Sequence, residues 1–351
     1  ALRQSRPPAE IIIVDASPDW TASRDRIAAM TSAAAIPLQY EPASERSSAT
    51  QRNRAVALAE ADILFLIDDD SFLFPQSAEA IMAVYDADVE QELAGVGLTA
   101  SPDNPSAAAP GTPRKQTGHG LAASVTQQSW LKHTVRWFYS KVLMMQHEQT
   151  FIAYASHDFP KPAVPKAMVD FDLHGVNHIS GYAMTVRRSV ALAEPFDTAL
   201  RYYAALEDAD ASHRFLRHGA LVVARRAKVH HFQTGASRLP RDKVIILQLL
   251  NLAIFLKRHS PMLAVKERQY GMMLWRRLLA ELLKDLLSRR FTLPQLRGVR
   301  YVMGIYRDIF AMPLEALLDW YPDFQRRLIE DDDYAAWPSS SAGAVPLKTR
   351  S

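Results

Sequence analysis

The sequence predicts an α/β protein: a mostly parallel sheet flanked by helices, followed by a helical C-terminal region. Three observations predict it. Two β-branched runs, IIIVDAS (Ile11 to Ser17) and DILFLIDDD (Asp62 to Asp70), have the unbroken apolar pattern of strands covered on both faces. Helical stretches separate such runs at the spacing of strand–helix–strand units. From about Ser237 onward the pattern turns helical and basic, with fifteen Lys/Arg against five Asp/Glu between Arg238 and Asp308.

The elements follow in order. After the first strand, Trp20 to Ala35 reads as a helix rich in Ala and Arg, and ATQRNRAVALAEA (Ala49 to Ala61) as a second helix leading into the second strand. SAEAIMAVYDAD (Ser77 to Asp88) is helical, and GVGLTA (Gly95 to Ala100) is a short strand. About 101–128, rich in Pro, Ala, Gly and Ser and without periodicity, reads as a mobile surface loop. A helix is expected over Trp130 to Gln146, then a Pro-rich stretch from Pro160 to Pro165. GYAMTVRRSV (Gly181 to Val190) reads as strand then helix. LEDADASHRFLRHG (Leu206 to Gly219) reads as an amphipathic helix with Gly219 at its C-cap. ALVVARRAKVHH (Ala220 to His231) reads as one or two strands. MMLWRRLLAELLKDLLSRR (Met272 to Arg290) sets Trp275, Leu278, Leu279, Leu282, Leu283 and Leu286 on one stripe, with basic residues opposite. Three segments result: 1–236 α/β, 237–330 basic and helical, and 331–351 a disordered tail.

The 351 residues, 48% apolar and 23% charged, are enough for a large core. The absence of cysteine excludes disulfides, thiolate metal sites and cysteine nucleophiles, and fits a reducing cytoplasm. The start lacks the apolar stretch of a signal peptide. The most apolar run, Val244 to Leu256, is shorter than the roughly 20 residues a bilayer span needs, and it carries Gln248 and Asn251. The expected location is cytoplasmic. Peripheral contact with the inner membrane face through about 272–290 competes with simple packing of that helix on the rest of the chain. The basic residues are not interleaved with a nucleic-acid-binding module, so no nucleic-acid partner is expected.

Asp68-Asp69-Asp70 end an apolar strand, at the sheet edge where ligands bind in open α/β folds. Strand alternation puts Asp68 and Asp70 on one side, where hard oxygen ligands suit Mg²⁺ or Mn²⁺. Alternatively the triplet caps a helix. Asp15 ends the other strand and is suited to a ribose, a base or a cap. Glu207, Asp208 and Asp210 sit at a helix start, where one acid can serve as general base while others cap, with Asp210 paired to Arg214 four residues on. Of His230 and His231, adjacent on a strand, at most one points into a site.

Three stretches in this order and spacing carry a resemblance: EIIIVDASPD, QRNRAVALAEADILFLIDDDSFLFP, and ISGYAMTVRRSVALAEPFDTALRYYAALEDADASHRFLRHGALVVARRAKVHH. Over roughly Leu2 to Gly235 the chain resembles family 2 glycosyltransferases of the GT-A fold. The resemblance implies inverting transfer from a nucleotide-sugar donor to a glycan or lipid-linked acceptor, in cell-surface or extracellular polysaccharide assembly. It implies nucleotide contacts at Asp15, Arg52, Asn53 and Asp68. A divalent metal would sit on Asp70 and Asp68, with His231 preferred to His230. Asp208 is implied as the catalytic base beside Glu207, and Gly181 lies on the acceptor side. Such enzymes open with a further strand, and this chain begins in what resembles the helix after it. An absent inner strand would leave its neighbours' backbone groups unpaired, so these 351 residues are expected to be unstable or inactive. The competing readings are a sugar nucleotidyltransferase, which normally shows a glycine-rich basic loop after its first strand, and a non-catalytic relative, which the retained Glu207-Asp208 argues against.

Overall fold

The computed structural model describes residues 1–105, 137, 161–202, 204–232 and 239–334. The loop expected over about 101–128 lies outside them beyond Pro105, as do the helix expected over 130–146, apart from Trp137, and the tail beyond Tyr334. Two compact units separate, one within Ala1–Gln128, Phe159–Leu200 and Ala205–Arg238, the other within Ser129–Asp158, Arg201–Ala204 and Leu239–Ser351.

The first unit runs β1 (Ile11–Asp15), α1 (Trp20–Ala33), β2 (Leu38–Pro42), α2 (Ser48–Leu58), β3 (Ile63–Leu66), β4 (Ser71–Leu73) and α3 (Ser77–Ala87). It continues through β5 (Leu93–Ala100), β6 (Leu173–Val176), β7 (Met184–Arg187), α4 (Arg188–Ala193), α5 (Glu207–Phe215) and β8 (Ala220–His231). β1 and β2 form a parallel pair. The larger sheet has the order β3-β7-β5-β8-β4, with β6 also on β8. β5 and β8 run parallel. β7 lies antiparallel between β3 and β5, and β4 and β6 lie antiparallel on β8, so this sheet is mixed. β1 pairs only with β2 and β3 only with β7, leaving one edge of each without a strand partner among the described residues. Neither strand is as deeply covered as its apolar run suggests: β1 is half-buried throughout, and in β3 only Leu64 is buried.

Apolar residues pack on both sides of the larger sheet. One cluster gathers Val186, Ala211, Phe215 and Leu221 with Val56 and Leu64. The other gathers Ile81, Leu93, Val96, Val222 and Val229. Gly219 is not the C-cap of α5, a place taken by Leu216. It stands where a Cβ would fall 2.6 Å from Glu92 O, so close backbone approach explains it.

The second unit holds α6 (Arg241–His259), α7 (Leu263–Leu287), α8 (Pro294–Ala311) and α9 (Leu314–Glu330). The most apolar run becomes the buried helix α6, with Ile246, Leu250 and Ala253 fully covered. Its polar Asn251 is buried against the Tyr321 hydroxyl. No helix among the described residues is long and apolar enough to cross a membrane.

One buried acid ties α3 to the sheet. Asp88, 4% exposed, accepts from Glu92 N at 2.9 Å, Leu93 N at 3.0 Å and Arg187 Nη2 at 2.7 Å. Asp88→Ala would strand two amides and a cation, so unfolding free energy in urea should fall by about 3–5 kcal/mol. A loss under about 1 kcal/mol would show that this link carries little.

Candidate active site

The acids of the Asp triplet lie beyond β3 rather than on it. β3 ends at Leu66, and a turn closes where Ser71 N donates to Asp68 O at 3.0 Å. That turn, not strand alternation, brings Asp68 and Asp70 to one side. β4 then pairs with β8, setting Ser71 opposite His231, and Phe232 N donates to Asp70 O at 2.9 Å. A carboxylate oxygen from Asp68, one from Asp70 and a ring nitrogen of His231 consequently lie within 4.8 Å of one another. Asp69 is exposed and stays out of the group. His231 Nε2 is 3.0 Å from Asp70 Oδ1, and Tyr182 stacks on the imidazole at 4.4 Å. His230 faces the other way, with Nδ1 3.1 Å from Ser101 O.

Two carboxylates and an imidazole fit a divalent ion. With bonds of about 2.1 Å, adjacent ligands on an octahedral ion stand roughly 3.0 Å apart, the separation of His231 Nε2 and Asp70 Oδ1. The added nitrogen donor suits Mn²⁺ at least as well as Mg²⁺.

Arg52 joins this cluster to the next. Its Nη2 donates to Asp68 Oδ1 at 2.7 Å and its Nη1 to Glu207 Oε1 at 3.3 Å. Gly181 makes the space: a Cβ there would lie 2.9 Å from both terminal nitrogens of Arg52. Asn53, the next residue, is used elsewhere. Its Nδ2 donates to Phe196 O at 2.8 Å, and Phe196 N donates to its Oδ1 at 2.7 Å, so it is not brought to the carboxylates.

Glu207 and Asp208 open α5 behind Leu206, a buried leucine at φ 72°. A non-glycine residue held there costs on the order of 1–3 kcal/mol, and such strain is often kept where it aims functional side chains. The two acids have opposite surroundings. Glu207 is 3% exposed, and burial pushes its pKa up, against the Arg52 charge and a hydrogen bond from Ser48 Oγ. Burial also works to raise Asp208, but other contacts outweigh it. His178 Nε2 stands 3.1 Å away, Gly181 N donates at 3.0 Å and Ala209 N at 2.9 Å, holding this carboxyl below its usual range. Tyr182 bridges the two clusters, stacked on His231 and feeling the charge of Asp208, which adds to burial in raising its phenol. Asp210 pairs with Arg214 at 2.8 Å, as its spacing suggests.

Asp15 accepts from Ser17 N at 2.8 Å, Ser17 Oγ at 2.6 Å and Tyr40 OH at 2.6 Å. It caps its own turn rather than α1. Partial burial works to raise it, and these bonds outweigh burial and hold it low. The Tyr40 phenol is pushed up to about 12, by burial first and then by Asp15. α2 ties this strand end to the acids, because Gln51 Nε2 donates to Val14 O at 2.7 Å while Arg52 holds Asp68.

Contacts therefore connect Asp68, Asp70, His231, Arg52, Gly181, Glu207 and Asp208. His178, Tyr182 and Ser48 join them without having been marked by the sequence. His178 and Tyr182 flank Gly181 in NHISGYA, and that proximity is the one signal that could have pointed to them.

No protein-family model matches the chain, and no curated protein matches it. Among solved structures it is similar to S. aureus TarS 1-349, with 12% identity, 95% of this chain and 83% of that chain covered, and a TM-score of 0.46. It is also similar to the mannosyltransferase PcManGT from Pyrobaculum calidifontis in complex with GDP-Man and Mn²⁺, at 13% identity, 91% and 80% coverage and a TM-score of 0.44. For TarS 1-349 in complex with UDP the values are 15%, 88%, 85% and 0.37.

A carboxylate with a depressed pKa stabilises the fold fully above its unfolded value, 3.8 here, and loses that contribution as pH falls through the folded value. Tyr40→Phe removes one bond to ionised Asp15. The stability gap between native protein and Tyr40→Phe should be widest near neutral pH and shrink below 3.8. A gap unchanged from neutral pH to strong acid, followed by denaturant titration, would contradict the assignment.

Proposed function

We propose that this protein is a metal-dependent, hexosyltransferase-type glycosyltransferase, moving a sugar from a nucleotide-sugar donor to an acceptor hydroxyl with inversion. The setting we infer is cell-surface or extracellular polysaccharide assembly, with a glycan or lipid-linked acceptor. One observation carries the reading: a metal-suited triad, Asp68, Asp70 and His231, is linked through Arg52, Gly181 and Tyr182 to an acid, Asp208, whose carboxyl is held below its usual range. The catalytic core is assigned to 1–236 and the basic helices to 237–330.

In this reading Mn²⁺ or Mg²⁺, held by Asp70, Asp68 and His231, would offset the charge of the diphosphate leaving group. The chain's own groups do the rest. Asp208 takes the proton of the acceptor hydroxyl as that oxygen attacks the anomeric carbon. A direct displacement needs only one base, and inversion follows from it. His178 and the amides of Gly181 and Ala209 fix the orientation of the Asp208 carboxylate and keep it free of a proton at neutral pH. Glu207 and Asp68 are oriented by Arg52. Asp15, held between Ser17 and Tyr40, lies at a strand end and would meet the nucleoside. Asn53 supports α2 from the Phe196 side.

Asp208→Asn is the test, in a donor-turnover assay across nucleotide-sugars with Mn²⁺. Donor affinity should stay within about twofold while turnover drops by about 10²–10⁴-fold. Turnover near that of the unmodified protein would remove Asp208 from the mechanism.

A further inference from the structure

Helix α7 turns four charged residues inward, beside Tyr270, Met273, Leu274 and Ala280. Lys266, Arg277, Glu281 and Asp285 are each 5% exposed or less. Arg277 Nε lies 2.7 Å from Glu281 Oε1, and Asp285 accepts from Gln295 N at 3.0 Å and Leu296 N at 3.1 Å, capping α8. The other side carries Met272, Trp275, Leu279, Leu283 and Leu286, between 40% and 66% exposed. Their spacing of three or four residues lays them along one face about 21 Å long. Leu287 and Phe291, 86% and 76% exposed, extend the apolar surface past the helix end. Beside α8 the face deepens into a groove of about 550 Å³, lined by Trp275, Leu282, Leu296 and Met303 and edged by Arg300. Burying one such side chain is worth about 1.5–3 kcal/mol, so a row left outside marks a surface that meets something apolar.

The charges around the face identify the occupant. From Arg268 to Arg307 the only acids are Glu281 and Asp285, and both are buried. The exposed charges in that stretch are all arginines: Arg268, Arg276, Arg289, Arg297, Arg300 and Arg307, of which Arg297 lies 3.4 Å from Asp242, and the exposed Asp308 follows directly after. A second copy of the chain, docked face to face, would bring these arginines against their own counterparts. An anionic bilayer offers acyl chains to the leucines, an interface to the Trp275 indole and phosphates to the arginines. We propose that this face of α7 and the adjoining edge of α8 dock the protein peripherally on an anionic lipid surface. This docking does not depend on the proposed sugar transfer.

The test is co-sedimentation of the full chain with phosphatidylglycerol/phosphatidylcholine vesicles and with phosphatidylcholine alone, at low and high salt. Binding should be at least tenfold tighter to the anionic vesicles and weaken with salt. Leu279→Glu with Leu283→Glu should weaken it at least tenfold, as should Arg289→Glu with Arg300→Glu, and none of these exposed sites should lower Tm. In the unmodified chain, indole emission should shift to the blue on adding anionic vesicles, and that change should be lost in Trp275→Phe. Three outcomes would overturn the proposal: no binding to anionic vesicles, binding that both double variants leave intact, or a native dimer dispersed by the leucine pair without vesicle binding.

Discussion

Arg52 holds one carboxylate with each terminal nitrogen of its guanidinium, Asp68 from the turn after β3 and Glu207 from the start of α5. The rest of the site depends on that fork. Glu207 is buried, and removing the cation beside a buried acid typically costs about 3–5 kcal/mol. Asp68 gains a fixed direction, which leaves the triad with Asp70 and His231 assembled instead of splayed by mutual repulsion. Gly181 gives the guanidinium its room and also donates to Asp208, so one backbone position serves both clusters. Tyr182 repeats the link from the other side, against the ring of His231.

The neighbouring acids illustrate how environment divides labour between like side chains. Glu207 and Asp208 are adjacent, yet burial pushes the first up while directed donors hold the second down. Adjacent residues on a helix point about 100° apart, so one faces Arg52 and Ser48 while the next meets His178 and the amides of Gly181 and Ala209. The left-handed Leu206 sets where that helix starts and so which acid looks where.

Much of this was legible in the sequence. Apolar runs marked β1, β3, β5 and β8, and helical periodicity marked α1 to α3 and α5. β2, β4 and β6 were not legible, because strands of three to five residues with polar positions are decided by the partner they pair with. The triplet alone read equally as a helix cap, and alternation said only that at most one of His230 and His231 points into a site; the family resemblance singled out Asp68, Asp70 and His231. The way Asp68 and Asp70 converge was not legible, since it comes from a turn. Asn53 read as a nucleotide contact but is spent on the Phe196 backbone, a partner 143 positions away. His178 and Ser48 act only through contacts made across the fold. In α7 the helical stripe was plain, but a stripe does not say which side faces inward, and here the stripe of Trp275, Leu279, Leu283 and Leu286 stays exposed.

The account stands on the claim that Asp68, Asp70 and His231 are metal ligands. A crystal structure with Mn²⁺ and a nucleoside diphosphate, using anomalous scattering from the ion, tests it most directly. The expected result is one manganese peak about 2.1 Å from ligand atoms of Asp68, Asp70 and His231, with diphosphate oxygens completing the shell. Manganese bound with none of the three as a ligand, or a diphosphate held away from them, would contradict it.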